Sequence, residues 1–148
     1  VAHLGGPEQL HDMLSQVDIL FLAAPLTPQT DGMIDADALA AVRPGTILIN
    51  VARGRLVETQ ALVDALERGH LDSAAVDVTA EEPPPAASPL WTAPRLIITP
   101  HVAGQSQNRI GAMTEFFCDN LSRYLRGGDL VNLVDKRLGF PEPRTRRR

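Results

Sequence analysis

Short apolar runs alternate with longer amphipathic stretches along most of the chain. The unbroken run Asp18–Ala24, bounded by Pro25, is typical of a strand buried on both faces of a parallel sheet. The stretch 58–68 carries apolar residues at helical spacing, and Gly69 suits its C-terminal cap. The whole pattern predicts strands over residues 18–24, 46–51, 73–78 and 95–99, and helices over 35–43, 58–68 and 106–126, the first with Asp35 as N-cap.

Strands that alternate with helices imply crossover connections, so we predict a doubly wound α/β fold whose mostly parallel sheet is covered on both faces. Residues 79–94 contain five prolines and no period, which predicts an ordered surface loop, anchored on the core by Trp91. The apolar stripe from Ile110 to Tyr124, together with Cys118, is assigned to the core. The tail from Pro141 onward is expected to fray.

Composition narrows the classes of partner. The 148 residues suffice for one domain, 44% of them are hydrophobic, and the net charge is −4. No overall positive field exists to hold nucleic acid or an anionic membrane, so we expect small-molecule or protein partners. Cys118 is the sole cysteine, which excludes an internal disulfide and a multi-cysteine metal site. We predict no metal, and the absence of a long apolar run predicts a cytoplasmic protein.

Candidate chemistry lies directly after the predicted strands. In an open parallel sheet the ligand sits beyond the carboxyl ends of the strands, where the connecting loops converge. Those positions hold Pro25 after the first strand, Arg53 after the second, Asp77 in the third with Glu81 and Glu82 beyond it, and His101 after the fourth. One guanidinium, an imidazole and several carboxylates are therefore predicted to share one edge.

This set of side chains suits acid–base chemistry next to a carboxylate. A carboxylate beside His101 would stabilise the protonated imidazole, and either Glu81 or Glu82 could fill that place. Arg53 offers a planar fork of donors that can hold a carboxylate bidentately and polarise a neighbouring carbonyl. The electron carrier stays undefined at this point, because the sequence contains no Gly-x-Gly-x-x-Gly run.

Six motifs in the same order and spacing resemble the D-isomer-specific 2-hydroxyacid dehydrogenases, over about residues 10–140. They are Pro-Leu-Thr-Pro-Gln-Thr (25–30), Asn-Val-Ala-Arg-Gly (50–54), Leu-Val-Glu-Thr-Gln-Ala-Leu (56–62), Ala-Val-Asp-Val (75–78) with Glu-Pro (82–83), Ser-Pro-Leu-Trp (88–91) and Thr-Pro-His-Val-Ala-Gly (99–104). The resemblance implies a Rossmann-like domain that uses NAD, with NADP not excluded, and a 2-hydroxyacid or 2-oxoacid as substrate.

The resemblance also assigns roles to individual residues. It implies that Arg53 binds the substrate carboxylate and carbonyl, that His101 is the acid/base, and that Glu82 is its carboxylate partner. It further implies that Asp77 contacts the nicotinamide end of NAD. Arg53 and His101 are also expected to touch the cofactor, as are Ala24, Pro25, Val51, Ala52 and Gly104, the last by close backbone approach. Thr79, where the family commonly has an aromatic residue, is expected to touch no catalytic group.

The family's glycine-rich loop and most of its substrate domain would lie upstream of Val1. We therefore expect residues 1–126 to be the C-terminal part of the dinucleotide-binding domain, and residues 127–148 to be a segment that returns toward the substrate domain, followed by a disordered basic tail. The complete protein is expected to form a homodimer. Two alternatives stay open: a non-catalytic, NAD-sensing interaction protein like the corepressors that share this fold, and an inactive truncated fragment.

Overall fold

The chain divides into two compact units between Ala103 and Gly104. The computed structural model describes residues 4–137 and 139–141. The first unit contains α1 (Leu10–Leu14), β1 (Ile19–Leu22), α2 (Ala36–Ala41), β2 (Thr46–Asn50), α3 (Thr59–Glu67), β3 (Leu71–Val76) and β4 (Leu96–Ile98), and the second contains α4 (Arg109–Leu125), β5 (Val134–Asp135) and β6 (Phe140–Pro141). All four predicted strands and all three predicted helices are confirmed, and α1 lies where the pattern predicts no element.

The four strands of the first unit form one parallel sheet in the order β1-β2-β3-β4. This is the Rossmann-like arrangement that the alternating pattern predicts. The register pairs Leu22 with Asn50, Asn50 with Val76, and Val76 with Ile98. Because these four residues form one row across the sheet, the loops that follow them leave from a single edge.

The helices of the first unit cover one face of its sheet. Leu20, Leu48 and Val76 lie in a core cluster with residues of α2 and α3. Residues on the other face of the sheet are open, with Ile19 57%, Phe21 58% and Ile97 63% exposed. The prediction that β1 is buried on both faces is therefore wrong for this chain. Successive right-handed crossovers between neighbouring strands return on the same side of a sheet, which leaves the second face without a cover from residues 4–103.

Both predicted caps are present. The Asp35 side chain accepts a hydrogen bond of 2.8 Å from the backbone N–H of Ala38, which satisfies one free donor of α2. Gly69 follows α3 with φ +68°, a left-handed conformation that suits glycine. The boundaries of α2 and α3 are thus fixed by local chemistry that the sequence displays.

Leu90, rather than Trp91, anchors the proline-rich loop. Leu90 is buried at 6% exposure within the core cluster, whereas Trp91 is 53% exposed. The Trp91 indole N–H donates to the backbone oxygen of Pro85 at 2.9 Å, so the ring closes the loop on itself. The predicted role of Trp91 as a core anchor is wrong, because its neighbour occupies the inward position.

The second unit consists of α4 and a short antiparallel pair, β5 and β6. The Asn120 side chain bonds the backbone of Val131 in both directions, at 3.2 Å and 2.9 Å, and so holds the following segment against the helix. The stripe assigned to the core is exposed, from Leu121 at 43% to Ile110 at 77%. Cys118 is exposed too. Both assignments are wrong, since the described part of this unit offers too few residues to cover the helix.

Two further expectations concern the ends of the chain. The predicted fraying concerns the tail from Pro141 onward. Pro141 belongs to β6, which contradicts the prediction at that residue, and residues 142–148 lie outside the described residues. The domain boundary expected at residue 126 stays a prediction.

Among the described helices, none combines the length and the apolar character that crossing a bilayer requires.

Candidate active site

The turn after β2 presents Arg53 and is held by a buried asparagine. Asn50 ends the strand at 1% exposure. Its amide donates to the backbone oxygen of Arg53 at 3.0 Å, and its carbonyl accepts from the Ala52 N–H at 3.0 Å. Arg53 in turn donates to the Ala52 oxygen at 2.7 Å. The backbone from which the guanidinium projects is therefore fixed by the strand itself.

Gly54 brings this turn into contact with the loop that follows β3. A Cβ built at Gly54 would lie 1.9 Å from the Thr79 carbonyl carbon and 2.4 Å from the Ala80 nitrogen. No side chain fits at that distance, because two backbones touch there. The contact joins the Arg53 turn to the loop that carries Glu82.

Glu82 and His101 form the pair that the sequence suggests. Glu82 Oε2 lies 2.8 Å from His101 Nδ1, while its Oε1 accepts from the Thr79 N–H at 3.1 Å. Glu82, and not Glu81, is thus the partner, and Thr79 contacts the pair through its backbone, against the expectation that it touches no catalytic group. The hydrogen bond from His101 lowers the pKa of Glu82, against the opposing effect of desolvation, and the Thr79 amide and the charges of His101 and Arg53 lower it further.

Asp77 holds the turn on which His101 sits. The residue is 5% exposed, and its backbone oxygen accepts from the His101 N–H at 2.9 Å. Its carboxylate accepts from the Thr99 hydroxyl at 2.5 Å, from the Val102 N–H at 2.9 Å and from the Ala103 N–H at 2.7 Å. The Thr99 bond is the main cause that lowers the pKa of Asp77, although burial opposes it. His101 itself adopts φ +54°, a left-handed conformation uncommon for a residue with a side chain.

The loop after β1 carries Ala24 and Pro25 to the same edge of the sheet. The Thr30 hydroxyl donates to the Pro25 oxygen at 2.7 Å, which closes the loop on itself. The Gly32 N–H donates to the Arg55 oxygen at 2.7 Å, and the Arg55 side chain pairs with Asp31. These bonds tie the loop to the segment that follows Arg53.

A cavity of about 340 Å³ opens beside the Glu82–His101 pair. Its walls include Trp91, Ile98 and prolines of the loop, with Thr79 and Asp77 as further polar groups. Arg53 is not among the lining residues. The cavity therefore adjoins the acid–base side of the site rather than the guanidinium.

The structure brings most of the predicted residues to one edge of the sheet. Val51 and Ala52 precede Arg53 in the turn after β2, and Asp77, Glu82 and His101 are joined as described. Gly104 begins the second unit, and no heavy atom lies within 4 Å of the position that a Cβ would take there. Nothing among the described residues requires glycine at that position, and its part in cofactor binding stays a prediction, as do the roles of the other site residues.

Sequence reasoning missed Asn50, Gly54 and Thr99 as supports of the site. Asn50 offered a signal, because an amide in an otherwise apolar strand must find partners when buried. Thr99 offered no comparable signal, because it is an exposed residue whose hydroxyl could bond to water. The role of Gly54 had no local signal, since the backbone it touches is 25 residues away in sequence.

Comparisons with known proteins agree with the geometry. A model of the NAD-binding domain of D-isomer-specific 2-hydroxyacid dehydrogenases matches residues 2–103. The chain is similar to a hydroxypyruvate reductase of Blautia hydrogenotrophica, with 36% identity over 128 residues that cover 86% of this chain and 39% of that protein. It is also similar to a glycerate dehydrogenase of Methylorubrum extorquens, with 40% identity over 124 residues, 82% of this chain and 40% of that protein.

One solved structure extends the comparison to a bound cofactor. It is a D-isomer-specific 2-hydroxyacid dehydrogenase from Xanthobacter autotrophicus, crystallised with NADPH and MES. The match has a TM-score of 0.81 and 38% identity, and covers 90% of this chain and 54% of the other. The chain thus spans about 40% of the length of the two relatives above, and about half of the chain in the crystal.

Proposed function

The chain belongs to the D-isomer-specific 2-hydroxyacid dehydrogenase family, through the NAD-binding domain, and from that membership we propose that it carries the reacting groups of a nicotinamide-dependent reductase of 2-oxoacids. The observation that carries this proposal is the Glu82–His101 pair at 2.8 Å, on the same sheet edge as Arg53. The proposed substrate is a small 2-oxoacid in one direction and a D-2-hydroxyacid in the other.

Each side chain has a distinct task in this proposal. Arg53 binds the substrate carboxylate and polarises the adjacent carbonyl through its planar fork of donors. His101 gives a proton to the carbonyl oxygen as that oxygen gains charge, and takes one back in the reverse reaction. Glu82 occupies Nδ1 of the ring and stabilises the imidazolium, which leaves Nε2 for the substrate.

The edge of the sheet fits the nicotinamide end of the cofactor. A carboxylate has about four acceptor positions, and donors of this chain occupy three on Asp77, so one remains for a carboxamide N–H. Ala24, Pro25 and Val51, which follow β1 and β2 at the same edge of the sheet, offer small apolar surfaces. Bound NAD or NADP would supply or accept the hydride at the substrate's C2. The choice between NAD and NADP depends on residues at the adenosine end of the cofactor. The sequence contains no glycine-rich loop for that part of the cofactor.

Two expectations stay predictions alongside this proposal: a homodimer of the complete protein and a cytoplasmic location. The non-catalytic alternative has no support among the relatives reported above, whose names are those of enzymes. The alternative that the chain is an inactive fragment is tested by measuring turnover of the 148-residue chain alone. We expect that chain to bind NADH weakly and to turn over little or no substrate.

The proposal is tested in a chimera that joins this chain to the part of the Xanthobacter autotrophicus protein outside the matched region. We expect the chimera to oxidise NADH or NADPH, followed by absorbance, when a panel of 2-oxoacids is supplied. Arg53→Ala and His101→Asn should each lower kcat/KM by at least about a hundredfold, since each removes a group that acts on the reacting carbonyl.

Arg68→Ala is the matched control, because Arg68 is an exposed arginine between α3 and the start of β3, at the opposite end of that strand from Asp77. It should retain the kinetics of the parent chimera. A chimera that binds NADPH but does not oxidise it, whichever 2-oxoacid of the panel is supplied, would contradict the proposal and favour the NAD-sensing alternative. Full activity in Arg53→Ala would remove that residue from the site.

A further inference from the structure

Most of the hydrogen bonds that fix the backbone around His101 go to one residue, Asp77, although the His101 N–H also donates to the Thr99 backbone oxygen at 3.0 Å. Three consecutive amides, those of His101, Val102 and Ala103, all donate to it, the first to its backbone oxygen and the other two to its carboxylate. The Thr99 hydroxyl adds a bond from the other side of the turn. The four bonds hold the five-residue segment 99–103 against one buried residue, three of them through its carboxylate and one through its backbone oxygen.

This arrangement accounts for the unusual backbone at His101. A non-glycine residue in the left-handed region is retained only where its surroundings impose that conformation. The φ of +54° turns the chain sharply after β4, and the imidazole then reaches Glu82. Hydrogen bonds to a charged acceptor are about twice as strong as neutral ones, so the ionised form of Asp77 is the form that imposes the turn.

We propose that Asp77 is a positioning residue, whose carboxylate holds the turn 99–103 and thereby keeps His101 Nδ1 on Glu82. This task is separate from the contact with nicotinamide, because the donors that carry it belong to the chain and need no cofactor. The consequence for catalysis rests on the proposed function, whereas the positioning itself does not. Thr99 shares the task, since its hydroxyl fixes one carboxylate oxygen.

The direct test uses nuclear magnetic resonance on the 148-residue chain without cofactor. In ¹⁵N-labelled protein we expect a protected, strongly shifted Nδ1–H signal from His101 and slow hydrogen exchange at the Val102 and Ala103 amides. Asp77→Asn replaces one acceptor oxygen by an N–H donor group. It should abolish the protected ring signal and speed exchange at both amides by about tenfold or more.

Thr99 provides a second, milder pair of variants. Thr99→Val removes the hydroxyl at nearly constant shape, and should speed exchange at Val102 and weaken the ring signal. Thr99→Ser keeps the hydroxyl and should restore both. Asp72→Asn is the charge control, because this exposed carboxylate at the opposite end of β3 accepts from Ser73. It should leave the His101 signal and both amides unchanged.

The outcomes separate this proposal from the proposed function. Unchanged exchange and an unchanged ring signal in Asp77→Asn would overturn the positioning role, and if that variant fails to fold, the same result in Thr99→Val would overturn it. In the chimera, Thr99→Val should lower kcat several-fold with an unchanged KM for NADPH, and Thr99→Ser should recover it. An inactive chimera whose ring signal still responds to Thr99→Val would refute the enzyme assignment and leave the positioning role intact.

Discussion

At the scale of single residues, the sequence predicts the residues of the candidate site more readily than it predicts the residues that support them. Arg53 and His101 follow β2 and β4, so the parallel direction of these strands is enough to bring both residues to one edge. The position after β3 leaves Glu81 and Glu82 as alternatives; the Glu-Pro motif at 82–83 selects Glu82, and the 2.8 Å bond to His101 confirms it. Gly54 could not be found from its own surroundings, since the reason for it is a backbone contact with Thr79.

Gly54→Ala should damage both the fold and the site. The added Cβ would meet the Thr79 backbone at 1.9 Å, and backbone cannot yield as the end of a flexible side chain can. We expect a loss of about 1–3 kcal/mol or more in the free energy of unfolding, measured by urea denaturation. Gly104→Ala is the control for stability, because no heavy atom lies within 4 Å of its added Cβ. Equal stability of the two variants would contradict the close contact.

At the scale of elements, period and capping residues predict what forms, while burial depends on what else packs nearby. The strands β1 to β4 are confirmed within the predicted runs, except that β3 begins two residues earlier, at Leu71. The run 18–24 is apolar enough for two buried faces, yet the described residues of the first unit cover one. In the same way, the stripe on α4 shows the correct helical period without the burial that such a stripe usually indicates.

The cap of α2 gives a prediction confined to one element. Asp35→Ala removes the acceptor of the Ala38 N–H and should lower the free energy of unfolding by about 1 kcal/mol. Asp35→Asn keeps a side-chain oxygen at the same position and should cost much less. Thermal denaturation followed by circular dichroism measures both. A stability of Asp35→Ala equal to that of the parent chain would show that the cap contributes nothing.

At the scale of the whole molecule, two carboxylates of the candidate site make the stability of the fold depend on pH in the acid range. The pKa values of Asp77 and Glu82 lie below their usual values in the folded chain, chiefly because of hydrogen bonds from Thr99 and His101 respectively. The unfolded chain therefore binds more protons than the folded chain in the acid range, and stability rises with pH there. The contribution is fully present above about pH 5 and is lost as the pH falls through the folded pKa values.

Urea midpoints measured between pH 6 and pH 3 check this dependence. The parent chain should lose stability steadily over that range, and Glu82→Gln should lose less, because it has one fewer carboxylate to protonate. Glu67→Gln, at an exposed glutamate in α3, should follow the parent chain. An identical acid response of Glu82→Gln and the parent chain would contradict the pKa shift that the Glu82–His101 bond produces.

Our proposal is that Arg53, Glu82 and His101 together form a site that, in the complete protein, reduces 2-oxoacids. It is tested most directly by supplying the chimera with NADPH deuterated at the transferable position and a 2-oxoacid, and then determining the mass and configuration of the product. We predict a D-2-hydroxyacid that carries one deuterium at C2, and we expect His101→Asn to form no such product. Cofactor binding without a deuterated product, or a product of L configuration, would contradict the claim.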